Sequence, residues 1–141
     1  MMRLAFSCLA LLSLCWNLAA HAAEQRIALV IGNSAYGSKT LHNPANDARA
    51  MAATLRKLGF EVIQRENTRL SDMLNIFGDF VTRSQHYPVR LVYYAGHGVQ
   101  TKGRNYLIPV DADIRFDDEV RYKAVDIGEL LDRLAERRNG L

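Results

Sequence analysis

Three short apolar runs, separated by two stretches of helical periodicity, leave this chain few folds to choose from. The runs are Arg26–Ile31, Phe60–Ile63 and Leu91–Ala95. Each is continuous rather than alternating, which suits strands covered on both faces in a parallel sheet. Between the first two, Ala48, Met51, Ala52, Leu55 and Leu58 recur at helical spacing and make one apolar face. Asn43-Pro44 supplies a capping amide and a proline for the first helical position, and Gly59 ends that helix. Leu70, Met73, Leu74, Phe77 and Val81 mark a second helix that stops before Pro88. Strands alternating with amphipathic helices predict an α/β fold, a mostly parallel sheet with helices on both faces.

Beyond Ala95 the pattern changes. Tyr106–Val110 reads as a short edge strand or strand end, because Pro109 cannot donate to a ladder. Asp111–Glu119 is an acidic loop. Asp126 is expected to cap a last helix, with Glu129 as its capping-box partner and Ile127, Leu130, Leu131 and Leu134 as its buried face. A parallel sheet of three strands leaves an apolar edge unpaired. The chain is therefore read as the amino-terminal part of a larger domain.

His97 follows the third run directly, between Gly96 and Gly98. That is the carboxyl edge of the sheet, where open α/β sheets keep their ligands and chemistry. Glycines on both sides let the backbone turn sharply and approach a substrate closely. A lone strand-end histidine is also a common hydrogen-bonded structural residue, so the position alone does not decide its role.

Residues 1–22 read as a signal peptide. Arg3 gives a short positive region, Leu4–Leu18 is mostly apolar and uncharged, and Ala20-His21-Ala22 matches a cleavage site. The apolar stretch is too short for a good membrane span. The expected mature domain is residues 23–141, secreted or periplasmic. Both cysteines, Cys8 and Cys15, fall in the leader. The mature chain thus has no disulfide, no thiolate metal site and no thiol nucleophile of its own. A formal charge of +3 with no basic stripe argues against nucleic acid as a partner.

The segment YYAGHG, Tyr93–Gly98, resembles the histidine motif of the caspase-like cysteine peptidases, especially the metacaspase and bacterial caspase-like branch. RIALVIGNSAY resembles the family's opening strand and turn, and LHNPANDARAMAATLRKLGFEV its first helix and second strand. GRNYLIPVDADI and DEVRYKAVDIGELLDRL resemble the segments after the histidine. Together they span nearly all of Arg26–Arg138 in family order. The resemblance implies a caspase-like three-layer sandwich, truncated before the strand that carries the nucleophile. It implies His97 as the catalytic acid/base and the Gly98 N–H as an oxyanion donor. It also implies that Asp47 helps bind a basic substrate residue, where the plain reading is an acid favoured by a helix N-terminus. The substrate would be a peptide or protein cleaved after Arg or Lys.

The family's nucleophile follows the next strand, in a D-x-C type sequence, and would lie beyond Leu141. His97 then has no thiol to work with unless a complementing polypeptide carries it, and the chain alone is expected to be inactive. The rival reading is a non-catalytic caspase-like module that binds peptides or proteins. No cofactor is expected. Calcium is the alternative, because acids in this region activate many metacaspases; Asp117 and Asp118 would be the ligands. The acidic stretch fails as an EF-hand loop, with Arg115 and Phe116 at the wrong places, and no His, Asp or Glu spacing suggests zinc. Gly32–Thr40 only approaches a phosphate loop, because Ser38 separates the glycine from the lysine.

Overall fold

The structure is a computed structural model and describes residues 24–37 and 40–136. The expected signal peptide, residues 1–22, lies outside the described residues.

Three parallel strands form the main sheet: β1 (Arg26–Gly32), β2 (Phe60–Glu66) and β3 (Val89–Ala95). Their order is β2-β1-β3, with Arg26 opposite both Phe60 and Val89. The central strand β1 carries Ile27, Ala28, Leu29, Val30 and Ile31, all without solvent exposure. Burying each of its larger aliphatic side chains contributes about 1.5–3 kcal/mol. Its alternating side chains serve both faces of the sheet. Ala28 and Val30 pack on helix α1 (Pro44–Lys57) through Ala48, Ala52 and Leu55. Ile27, Leu29 and Ile31 pack on helix α2 (Leu70–Arg83) through Met73, Phe77, Phe80 and Val81. The expected three-layer arrangement is present. Small residues bring α1 close: a Cβ on Gly32 would sit 2.6 Å from both the Ala48 Cβ and the Pro44 carbonyl oxygen.

A second, antiparallel sheet follows: β4 (Gly98–Thr101), β5 (Arg104–Leu107) and β6 (Val125–Asp126), in that order. A short helix α3 (Val120–Lys123) leads into β6, and α4 (Ile127–Glu136) leaves it. Leu130 of α4 joins the α2 side of the core, while Tyr106, Val120 and Ala124 make a small cluster of their own.

Several sequence expectations need correction. The strand expected over Tyr106–Val110 lies at Arg104–Leu107, and Pro109 falls outside it. Its partner β4 was not foreseen. The two pair through a two-residue turn, Lys102-Gly103, with φ of 50° and 76°. Both angles belong to a type I′ turn, and Lys-Gly lacks the Asn or Asp that signals one. Asn43 does not cap α1 with its side chain, because its backbone is already helical. Ser34 Oγ takes that role, accepting the Ala45 N–H at 3.0 Å. Leu58, Leu74 and Leu131, expected on buried helix faces, are 58%, 52% and 54% exposed. Asp126 does cap α4, accepting the Gly128 N–H at 2.8 Å, but Glu129 does not close a capping box. It stands exposed, 3.9 Å from Arg104.

Candidate active site

Ala95 ends β3, and its carbonyl accepts the Asn33 N–H from the end of β1 at 2.8 Å. This bond sets the two strand ends level. His97, two residues further on, is half-buried and held through its main chain. Its N–H donates to the Tyr36 hydroxyl at 2.9 Å. Its carbonyl accepts the Ile108 N–H at 3.0 Å and lies 3.1 Å from the Tyr94 hydroxyl. The Tyr36 and His97 rings lie 4.5 Å apart, tilted by 57°.

Each phenol has one proton, which limits how these contacts are used. The Tyr94 hydroxyl is 2.7 Å from the Ile108 carbonyl oxygen, its shortest contact, and donates there. The Tyr36 hydroxyl is 2.9 Å from that of Tyr94 and 3.1 Å from the Ile108 carbonyl oxygen, either of which can take its proton. A chain results, from the His97 N–H through Tyr36 and Tyr94 to Ile108. Burial, then the Tyr36 hydroxyl, hold the Tyr94 phenol well above the ordinary tyrosine range. Gly96 makes the arrangement possible. A Cβ there would sit 2.5 Å from the Tyr36 hydroxyl and 2.6 Å from that of Tyr94.

Asn33 supports this chain from below and is fully buried. Its Oδ1 accepts the Thr68 N–H at 2.8 Å and the Thr68 hydroxyl at 3.0 Å. Its Nδ2 donates to the Ile108 carbonyl at 3.3 Å. The end of β1, the entry to α2 and the segment after β5 thus meet on one amide. Sequence reasoning missed Asn33, Tyr36, Tyr94 and Ile108 as site residues. Gly32-Asn33 read as a strand terminator, and the two tyrosines as part of apolar or loop stretches.

Gly98, the first residue of β4, is exposed. It faces Leu107 in the ladder, and the Ile108 N–H to His97 carbonyl bond flanks that pair. In an antiparallel ladder this makes Gly98–Leu107 a non-hydrogen-bonded pair. The Gly98 N–H therefore turns away from β5.

His97 and Tyr36 line an open cleft of about 560 Å³, together with Ile108, Asp111, Asp113 and Ile114. Asp47 does not line it; it lies exposed in the first turn of α1. The nearer carboxylates belong to Asp111 and Asp113. Asp111 has structural work: one oxygen accepts the Leu70 N–H at 2.9 Å, and the other lies 3.3 Å from Arg69 Nε. It caps α2, whose own preceding residue, Arg69, makes no side-chain cap. Asp113 is exposed beside Arg115, at 3.3 Å.

Asp117 and Asp118 sit in a short turn on another cavity of about 520 Å³, between the β4–β5 hairpin and α2. Among the described residues no three His, Cys, Asp or Glu side chains converge as metal ligands. Calcium takes six to eight oxygens; Asp117 and Asp118 place two carboxylates on that cavity.

The model of the caspase domain, a peptidase family, matches residues 25–139. The chain belongs to the caspase family. The mucosa-associated lymphoid tissue lymphoma translocation protein 1 of Homo sapiens is 29% identical over 120 residues. Its Mus musculus homolog is likewise 29% identical. Both alignments cover 84% of this chain but only 14% of the relative's length. The crystal structure of the Drosophila initiator caspase Dronc superposes with a TM-score of 0.61 at 12% identity. It covers 77% of this chain and 41% of that one, and supports the fold. In this caspase-like domain, His97 stands where β3 leaves the parallel sheet.

Proposed function

We propose that His97 and Gly98 are the acid/base and oxyanion half of a cysteine endopeptidase site that cleaves after Arg or Lys. The observation that carries this reading is the pairing of a backbone-anchored, cleft-lining His97 with an exposed Gly98 N–H turned away from its ladder. A thiolate attacks the scissile carbonyl carbon, and the π pair moves onto oxygen, which the Gly98 N–H binds. The tetrahedral intermediate collapses, the C–N bond breaks, and the imidazolium of His97 gives its proton to the departing amine. Water then attacks the acyl carbon, with His97 accepting its proton, and the C–S bond breaks to release the carboxylic acid and restore the thiolate.

Residues 23–141 contain no cysteine. In this reading the thiol comes from a strand that pairs along the free edge of β3, in this polypeptide or a complementing one. Asp47 would bind the basic substrate residue from the same end of the sheet. The protein would act after export, and its relationship would lie with the metacaspase and bacterial caspase-like branch. The absence of cysteine from residues 23–141 also fits a second reading, a caspase-like module that binds peptides without cutting them.

The test joins one sequence observation to one assay. The coding sequence after codon 141 is read for an apolar strand followed by Asp-x-Cys. A protein carrying that segment should hydrolyse Arg- or Lys-terminated reporters, and His97→Ala should abolish turnover. Asp47→Asn should raise KM for Arg reporters more than it lowers kcat. Arg-peptide binding with no hydrolysis, when a thiol is present, would establish the module instead. Residues 23–141 alone should show no hydrolysis, and cleavage that His97→Ala abolishes would refute the thiol requirement.

A further inference from the structure

We propose that Tyr36 is the positioning residue for the His97 imidazole, holding it at two points with one rigid side chain. The proposal rests on the reading of His97 as the acid/base group. The hydroxyl accepts the His97 N–H at 2.9 Å, and the ring lies 4.5 Å from the imidazole. Together they fix the main chain and restrict the side-chain rotamer. A tilted aromatic pair at this distance is attractive, and a phenol has only two rotatable angles to lose.

Tyr36 is itself well placed to act as a fixed post. It is 7% exposed although it lies in the loop between β1 and α1. Its N–H donates to the Ser34 carbonyl at 3.0 Å. Its hydroxyl lies 2.9 Å from that of Tyr94, which belongs to β3. The post is therefore braced against the same strand that delivers His97. Gly96 keeps the space between them open, because any Cβ there would collide with both hydroxyls. Tyr36 and His97 both line the 560 Å³ cleft, so the imidazole held against the tilted phenol still borders that space. A phenylalanine would fill the same volume. The hydroxyl is what serves the histidine.

The test uses the isotope-labelled full chain with Tyr36→Phe, Tyr36→Leu and Tyr94→Phe, followed by NMR and amide exchange. In Tyr36→Phe the His97 amide should exchange about tenfold faster relative to β1 amides, the loss of one hydrogen bond. Its imidazole C–H shifts should stay near the parent values, because the ring current remains. Tyr36→Leu should also move those shifts toward free-histidine values. Tyr94→Phe should give a smaller amide effect with imidazole shifts retained. A His97 exchange rate within about twofold of the parent in Tyr36→Phe overturns the proposal. So do imidazole shifts unmoved in Tyr36→Leu, or β1 amides accelerating in parallel, which marks a merely structural role. If Tyr36→Phe does not fold, Tyr94→Phe decides on the same contrast between His97 and β1. None of these readouts needs turnover. An Arg peptide that fails to bind while they hold would refute the peptidase reading and leave this one standing.

Discussion

The two glycines beside His97 invite the same substitution and should answer it differently. At Gly96 a Cβ meets the Tyr36 hydroxyl at 2.5 Å, the Tyr94 hydroxyl at 2.6 Å and the Tyr94 Cζ at 2.8 Å. Ordinary contact needs about 3.5 Å, so both hydroxyls must retreat by about 1 Å. That distance breaks bonds now at 2.9 Å and 2.7 Å. Overpacking costs about 1–3 kcal/mol, and each lost bond adds about 0.5–1.5 kcal/mol. Gly96→Ala should therefore destabilise by about 2–6 kcal/mol. At Gly98 the nearest atom to an added Cβ is the Tyr106 carbonyl oxygen at 3.4 Å, an ordinary contact on an exposed strand. Gly98→Ala should stay within about 0.5 kcal/mol of the parent. Urea unfolding followed by circular dichroism reads both. With a slope of about 1.5 kcal/mol/M, the Gly96→Ala midpoint should fall by about 1.3–4 M. Equal midpoints for the two variants would refute the steric reasoning, and a changed slope would remove the basis for comparing them.

Asn33→Leu deletes an amide that binds Thr68 and Ile108 in the buried centre of the site, and leaves the Thr68 N–H and hydroxyl without their acceptor. Chemical denaturation should show a loss of about 2–4 kcal/mol. Tyr94→Phe tests the alkaline limb. The folded phenol is raised above its ordinary value of 10, so its contribution is fully present below about pH 10 and is lost as pH rises further. The variant should be less stable at neutral pH, yet its stability should fall less steeply above pH 10; an unchanged slope would count against the buried placement. Glu119 is shifted the other way, held down first by the Arg115 N–H and then by Lys123. Its contribution is present above the usual carboxylate range and lost as pH falls through its lowered value. Glu119→Gln should flatten the acid limb of a thermal-stability profile. Asp126→Ala removes the α4 cap and the Arg104 partner. A melting experiment should register about 1–2 kcal/mol, the usual worth of a cap.

The parallel layer was legible because its signals are local and redundant. Ile27–Ile31 is apolar at every position, and Ala48, Ala52 and Leu55 repeat at helical spacing, so β1 and α1 follow from the sequence. The exposed Leu74 and Leu131 show where periodicity overreaches. A helix face wide enough to include them is wider than the surface that covers it. The antiparallel layer was less legible. Its turn runs through Lys102 and Gly103, and the positive φ of Lys102 is fixed by strand pairing rather than by its own preference. The cap of α2 was not legible at all. Asp111 supplies it from 41 residues away, and no window along the chain contains both partners.

The site divides in the same way. His97 and Gly98 could be proposed because a motif is contiguous in sequence. The groups that hold them come from four separate segments: Asn33 and Tyr36 before α1, Thr68 before α2, Tyr94 within β3, and Ile108 after β5. All of these bonds end on main-chain atoms of His97 or Ile108, or on one another. Of the described aromatic rings, that of Tyr36 packs at a tilt against the imidazole. A histidine kept for structure would instead have its ring nitrogens satisfied by the protein, since buried polar groups are costly when unpaired. Here the backbone is fixed from several sides while the ring borders an open cleft. This division of labour, a rigid main chain with a ring available to a ligand, is what proton transfer to a bound substrate requires. In the proposed peptidase reading, it ties His97 to Tyr36 and Gly96 rather than to the charge of any neighbouring acid.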